Sequence, residues 1–374
     1  MENRIYTLAI VGCGKVAIKH ARAVRENAGR LRLAALVDSD AERAEAFRQA
    51  NQSASEPAAA VFASIGEMLA TVKPDIVAVT TPSGSHYSLA KDALLAGSHT
   101  LIEKPMTLRL DEARELETLA ETQGRLIVMG HIYRYFPLVA DIKQDLAAGV
   151  YGKILNGVVT VRWGHDQAYY DSAAWRGTWA ADGGVLMNQS IHALDLMCWL
   201  MDSPIKLAQG QIRRLKHQME AEDFAAAICE LESGAMLQVE GTTCTGEESQ
   251  MASFYIMTES AEIEAGLRAG RPYLKIQDRS RTRGTFHYYK KALKKAVKNG
   301  LNGFKHMAHP HSAIYKDFVE CLDLPGRSPL ADARSGVSSV EHILAIYRSA
   351  KTGQIQTLPL ASDFTLGEMQ DVLD

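Results

Sequence analysis

The sequence predicts an α/β protein in two domains. The first is a parallel sheet with helices on both faces; the second is an α+β domain with a large open, mostly antiparallel sheet. Three observations carry this. Short apolar runs alternate with helical patterns from Leu8 to Met129. A glycine-rich turn separates the first run from the first helix. Beyond Ile154, strand-like segments mostly follow one another without helices between them.

The opening stretch is the most specific. Leu8-Ala9-Ile10-Val11 suits a buried parallel strand. Gly12-Cys13-Gly14-Lys15-Val16-Ala17 follows, then a helical pattern to about Asn27, then a second apolar run, Leu31 to Val37, that ends on Asp38. Strand, glycine turn, helix, strand and acid is the order of a Rossmann dinucleotide site. Gly12 permits the tight turn, and Gly14 lets backbone approach a pyrophosphate. Lys15 and Val16 lie where the turn meets the helix, whose free N–H groups and positive dipole end face that anion. Ala17 takes the third glycine position. Asp38 is placed to accept hydrogen bonds from ribose hydroxyls. Its carboxylate repels a 2′-phosphate and no arginine follows it directly, so NAD is expected over NADP. The alternative is a strand-turn-helix with no ligand.

The remaining elements follow in order. Ala41 to Ala50 reads as helix, Asn51 to Ala58 as loop, Val61-Phe62 as a short strand and Ile65 to Thr71 as a short helix. Asp75 to Thr80 is a buried strand stopped by Thr81-Pro82-Ser83-Gly84. Helix resumes through Ala96, with Gly97 as its C-cap. The strand His99 to Ile102 runs into Glu103-Lys104-Pro105. A helix over Thr107 to Glu121 and a strand at Leu126 to Met129 close the series. Residues 1–128 are therefore assigned to the nucleotide-binding domain and 129–374 to the second domain.

In that second domain Phe136 to Ala148 is helical, Ile154 to Trp163 alternates like a strand, and Asp182 to Met201 contains a long helix. Leu207-Arg214, Phe224-Leu231, Ala235-Glu240, Phe254-Thr258, Glu262-Ala265 and Tyr273-Gln277 read as successive strands. Glu232-Ser233-Gly234 supplies a hairpin turn. Ser312 to Cys321 and Ala331 to Ser349 are the last helices.

Bulk properties narrow the class. The 374 residues suffice for two domains, and a net charge of -3 gives no global pull toward nucleic acid or anionic membrane. Five scattered cysteines, odd in number and never in a C-x-x-C pair, suit a reducing cytosol and argue against structural zinc. The first core strand comes within a few residues of Met1, which leaves no room for a signal peptide. No apolar run is long enough to span a bilayer. A cytoplasmic protein is expected.

Two places carry candidate chemistry. Lys104 follows a strand directly, at the carboxyl edge of the parallel sheet where ligands bind in such folds. Pro105 restricts the backbone behind it. Near a cationic oxidised nicotinamide its ammonium would be destabilised, so it could exchange a proton with a substrate hydroxyl. The alternative is a solvated lysine at a strand end. The second place is the stretch Gly183 to Met201, apolar on nearly every side and hence a buried helix. Asn188, His192 and Asp195 fall at i, i+4 and i+7, one polar stripe, with Gln189 beside it. Three buried polar groups in a row suggest a site; the alternative is a core histidine bonded to Asp195. Asp182-Gly183-Gly184 is expected to cap the helix.

Together, Gly12-x-Gly14-x-x-Ala17, Glu103-Lys104-Pro105, and Gly183-Gly184 followed by Asn188-x-x-x-His192-x-x-Asp195 resemble the Gfo/Idh/MocA oxidoreductases. The resemblance covers essentially the whole chain, including Arg134. It implies hydride transfer between a sugar-like carbon and NAD(P), with Lys104 and His192 handling the proton, and a C-terminal sheet that makes homodimer or homotetramer contacts. It places Thr80, Pro82, His86 and Glu103 on the cofactor side. Many members carry aspartate where this chain has Asn188. An amide can orient a hydroxyl but cannot act as a base, which leaves that role to His192, with Lys104 polarising the oxygen and Asp195 holding the imidazole.

The segment Trp175-Arg176-Gly177-Thr178-Trp179 with Asp182 to His192 is similar to a narrower group, the UDP-N-acetylglucosaminuronate 3-dehydrogenases of bacterial surface-polysaccharide pathways. Their likeness implies oxidation of a sugar C3 hydroxyl by NAD, in some members with NADH recycled by 2-oxoglutarate. It also implies that Trp175 and Arg176 reach the cofactor from the second domain. A cyclitol or free-sugar dehydrogenase and a non-catalytic NAD-binding regulator are the alternatives.

Arg279 to Lys305 is basic, with Phe286, Tyr288 and Tyr289 among the cations. Tyr288 to Val297 fits a basic amphipathic helix, and the solvated face of a connector is expected there. A nucleotide-sugar diphosphate or an anionic membrane surface are alternatives, and nucleic acid is not expected. His306, His309 and His311 lie close in sequence, but no nearby cysteine or carboxylate completes a metal site, so none is expected. His309 and His311 are expected to open the next helix or line the cleft.

Overall fold

Two sheets organise the chain in the computed structural model, which describes residues 4–51, 57–281, 283–298, 309–360 and 364–373. Lys305 and His306, and most of the loop expected over 51–58, lie outside the described residues.

The first sheet has six parallel strands: β1 (Tyr6–Val11), β2 (Leu31–Val37), β3 (Ala60–Phe62), β4 (Ile76–Val79), β5 (His99–Ile102) and β6 (Ile127–Met129), in the order β3-β2-β1-β4-β5-β6. Strands covered by helices on both faces must be apolar throughout, and Leu8 to Ile10 and Ile76 to Val79 are fully buried. The order reverses between β1 and β4, which creates a crevice at their carboxyl ends. The glycine turn after β1, Thr80 after β4 and Glu103-Lys104 after β5 all lie along that edge.

The division expected at residue 128 needs correction. The first compact unit comprises Met1–Thr107, Asp111–Tyr135 and also Lys305–Val337; the second comprises Leu108–Leu110, Phe136–Phe304 and Ser338–Asp374. The cause is the helix Pro310–Asp323, which packs on the helix Ala17–Glu26 and buries Ile314, Tyr315, Phe318 and Val319. Tyr315 bonds His20 at 2.8 Å, and Asn27 donates to Ser312 at 3.1 Å. Tyr135 donates to Asp317 at 2.9 Å, while Arg134 donates to the Leu330 carbonyl at 2.7 Å. An amphipathic helix does not state in its own sequence which earlier surface it will cover.

The second unit holds an eight-stranded sheet. Its strands are β7 (Ile154–Arg162), β8 (Ile205–Arg213), β9 (Phe224–Leu231), β10 (Met236–Thr242), β11 (Met251–Thr258), β12 (Ala261–Arg268), β13 (Arg271–Asp278) and β14 (Gln356–Thr357). The order is β13-β12-β11-β7-β10-β9-β8-β14, antiparallel among the described residues except where β7 meets β10. Burial alternates along β8 and β9, as a sheet with one covered face requires. The helices Ile191–Leu200 and Ala333–Thr352 cover that face, while Ile228 and Met236 are exposed on the strands. No described helix is long and apolar enough to cross a membrane.

Candidate active site

On the first unit, the β1 turn shows why glycine is needed. Gly12 has φ +95°, and a Cβ there would lie 2.7 Å from Thr81 Cγ2. Thr80 secures the turn: its hydroxyl is within 3.0 Å of the Val11 carbonyl and 2.7 Å of the Gly12 carbonyl. The helix Ala17–Glu26 starts without a side-chain cap at Val16, which leaves its first N–H groups for an anion. Lys15 is exposed beside them.

Asp38 is already engaged. Its Oδ2 accepts from the Cys13 N–H at 2.9 Å; its Oδ1 accepts from Asp40 N–H at 3.0 Å and lies 3.0 Å from Arg43. A carboxylate offers about four acceptor sites, so capacity remains for a ribose hydroxyl. Arg43, five residues further on, brings to Asp38 a cation that the residues directly after it do not supply.

Lys104 is half-buried at the end of β5. Two buried histidines brace its neighbours. His20 bonds Glu103 at 2.9 Å as well as Tyr315, so the Glu103 carboxylate is held by the helix that follows the glycine turn. His86 places one ring nitrogen 2.7 Å from the Pro105 carbonyl and the other 2.9 Å from the Thr81 carbonyl. Each nitrogen thus faces a backbone carbonyl, and the neutral ring donates to one of them, which ties the turn after β4 to the strand end at Pro105. Burial pushes its pKa down. Pro82, after Thr81, is exposed. His309 stands at the start of the Pro310–Asp323 helix without capping it, and His311 is buried against the His20 ring. Ligand-type atoms of His20, Glu103 and His311 lie close enough together to hold a metal ion, as do those of His217, Asp223 and Cys244.

On the second unit, a π turn, Leu186–Ser190, runs into the α-helix Ile191–Leu200. Such turns re-aim side chains and recur at functional sites. The stripe predicted on an unbroken α-helix therefore crosses a change of helix type between Asn188 and His192. Among residues 182–197, Asn188, Gln189 and His192 alone keep partial access to solvent; Asp195 is buried.

The expected cap is also different. Asp182 accepts from the Gly177 N–H at 2.9 Å and from the Asn188 amide. The start of the π turn is satisfied by Glu222, whose carbonyl accepts from Val185 at 3.0 Å and whose carboxyl accepts from Leu186 at 2.9 Å. Burial raises the Glu222 carboxyl to about 8, against bonds from Leu186 and Tyr347 that lower it. Gly184 makes this possible, since a Cβ there would lie 2.0 Å from Glu222 Oε2.

Beside this turn, the Gln189 amide donates to His165 Nε2 at 3.1 Å, and the His165 ring stacks on Tyr169 at 3.7 Å. Burial, then Arg176 and His217, push the His165 pKa down to about 4. The Arg176 guanidinium lies over the rings of both Tyr169 and Trp175 and donates to the Tyr169 hydroxyl at 2.7 Å. Below them, burial alone would raise Asp223, but backbone N–H bonds from Leu215, His217 and Lys216 hold it low.

These features define a two-unit protein with a Rossmann-type nucleotide-binding fold and a separate unit bearing a polar row. Residues 6–131 match the model of the oxidoreductase family with an NAD-binding Rossmann fold, and residues 139–264 match the GFO/IDH/MocA C-terminal domain. The chain belongs to the Gfo/Idh/MocA oxidoreductases, and its first unit is that family's NAD-binding fold. It is similar to the WlbA dehydrogenase from Bordetella pertussis, solved in complex with NADH and UDP-GlcNAcA. The TM-score is 0.81 and the identity 28%, over 96% of this chain and 100% of that one. The WlbA enzyme from Chromobacterium violaceum, solved with the same two ligands, gives 0.82 and 28%, over 97% and 98%. A UDP-N-acetylglucosamine 3-dehydrogenase from Acidithiobacillus ferrooxidans is 34% identical over 135 residues, 36% of this chain and 40% of that protein. The chain spans about half the length of the first curated relatives it matches.

Proposed function

We propose that the protein oxidises a sugar ring carbinol with NAD, and that its substrate is the C3 hydroxyl of a UDP-linked N-acetyl hexuronate. The observation that carries this reading is the access left to Asn188, Gln189 and His192 on an otherwise buried stretch. The likeness across the whole chain to two dehydrogenases solved with NADH and UDP-GlcNAcA supports the substrate class.

NAD, when bound, supplies the acceptor for the carbinol hydrogen and its electron pair. The residues that would hold it fit: a Gly12 turn without room for a Cβ, an uncapped helix N-terminus, and Asp38 with acceptor capacity to spare. Trp175 and Arg176 would add contacts from the second unit. His192 takes the hydroxyl proton, with Asp195 buried three residues on. Lys104 would donate to a substrate oxygen as charge develops on it. Asn188 and Gln189 orient neighbouring hydroxyls. The exposed apolar residues Ile228 and Met236 support a homodimer or homotetramer through the open sheet face.

The test is to add UDP-N-acetylglucosaminuronate, UDP-N-acetylglucosamine, free uronates and cyclitols to purified protein with NAD. Reduced nicotinamide should accumulate with the first. Turnover confined to free sugars or cyclitols would refute the nucleotide-sugar reading and leave the dehydrogenase class intact.

A further inference from the structure

A solvated face is the expectation for the basic stretch, and the helix Thr285–Lys298 departs from it. Its outward side is apolar: Phe286 is 79% exposed, Tyr289 47%, Leu293 60% and Val297 68%. Steps of three, four and four residues put these side chains in one stripe. The opposite side is firmly seated. Tyr288 is fully buried, donates to Asp145 at 2.7 Å and bonds Tyr151 at 2.7 Å. Lys291 and Lys295 reach Asp141 at 2.8 and 2.7 Å, and Arg283 pairs with Asp145. The helix is thus held in one rotation, and that rotation turns its apolar stripe outward.

Charge follows the same side. At 100° per residue, Lys290 and Lys294 border the stripe, and among the described residues neither makes an ion pair. From Arg279 to Lys305 the sequence has nine lysines and arginines and no aspartate or glutamate, in a chain whose net charge is -3. Positive charge is therefore concentrated here against an otherwise acidic protein. Four large apolar side chains in a row need a cover. Lysine is depleted from protein–protein interfaces, whereas an apolar stripe edged by lysines matches the acyl and phosphate layers of an anionic bilayer.

We propose that this helix docks the protein on an anionic phospholipid surface. It lies in the plane of the membrane, with Phe286, Tyr289, Leu293 and Val297 at the acyl boundary and Lys290 and Lys294 at the phosphates. The docking is independent of which sugar the enzyme oxidises.

The experiment is co-sedimentation of the full chain with vesicles of phosphatidylcholine, with and without phosphatidylglycerol. Binding should require phosphatidylglycerol and weaken as salt is raised. Phe286→Ser with Leu293→Ser, and separately Lys290→Glu with Lys294→Glu, should each weaken it about tenfold or more. All four positions are exposed, so thermal unfolding and turnover in solution should match the parent. The Lys pair serves as the test if the Ser pair fails to fold. Absence of binding, equal binding to neutral vesicles, or binding undiminished in the variants would overturn the proposal. So would a parent oligomer that Phe286→Ser with Leu293→Ser dissociates, because the stripe would then face a second copy of the chain.

Discussion

The Tyr347 hydroxyl donates to the carboxyl of Glu222 at 2.7 Å, beneath the turn that leads to His192. This pair couples the last long helix to the start of the polar row. Glu222 is fully buried, with its carboxyl raised to about 8 from 4.5. A raised acid binds its proton more tightly folded than unfolded. Its contribution to stability is therefore complete below pH about 4.5 and is lost as pH rises toward about 8. Glu222→Gln should flatten that decline, read by denaturant unfolding of both proteins across the window. Identical slopes would mean that the carboxyl ionises freely in the fold.

Gly184 is the space that Glu222 fills. Gly184→Ala forces a Cβ against that carboxyl and should cost about 1–3 kcal/mol of stability. Because the strain falls on the turn that carries Asn188, turnover should drop in the surviving folded fraction. Thermal unfolding and kcat measured on the same preparation check both effects.

Asp38 and Arg43 oppose one another at the ribose end of the nucleotide site. Asp38→Gly should raise KM for NAD about tenfold, through loss of a charge-assisted hydrogen bond, and relax discrimination against NADP. Arg43→Ala should instead sharpen the preference for NAD, since it removes the one cation paired with Asp38 among the described residues. Kinetics with both nucleotides decide; an unchanged preference in Asp38→Gly would place ribose recognition elsewhere.

Lys104→Ala and His192→Ala should each lower kcat by roughly 10²–10⁴ while NAD binding, followed by fluorescence titration, persists. Near-parental turnover in either variant would remove that residue from the proton-handling role.

Local patterns explain what could be read from the sequence. The β1 turn, Asp38 and the Glu103-Lys104-Pro105 strand end each declare themselves within a few residues, because the backbone there demands particular residue types. The apolar stretch around His192 was legible for the same reason. The π turn was not, since a shift of helix type leaves the hydrophobic pattern nearly unchanged. Glu222 precedes a strand and reads like any surface acid; only the folded packing buries it. For the Thr285–Lys298 helix, the sequence showed amphipathicity but not which part of the apolar arc Tyr288 would claim. His20 and Tyr315 lie 295 residues apart, and no local signal joins them.

That last pairing has a consequence for how the protein is made. His20 and Glu103 are buried under a helix that the ribosome completes only at Asp323. Until then the nascent nucleotide-binding unit lacks both Tyr315 and the apolar cover of Phe318. It must wait, unfinished, while strands β7 to β13 of the second sheet are synthesised. A fragment ending at Tyr135 inherits that exposed flank permanently, so the half of the chain that looks most self-sufficient in sequence is the half that depends on the end.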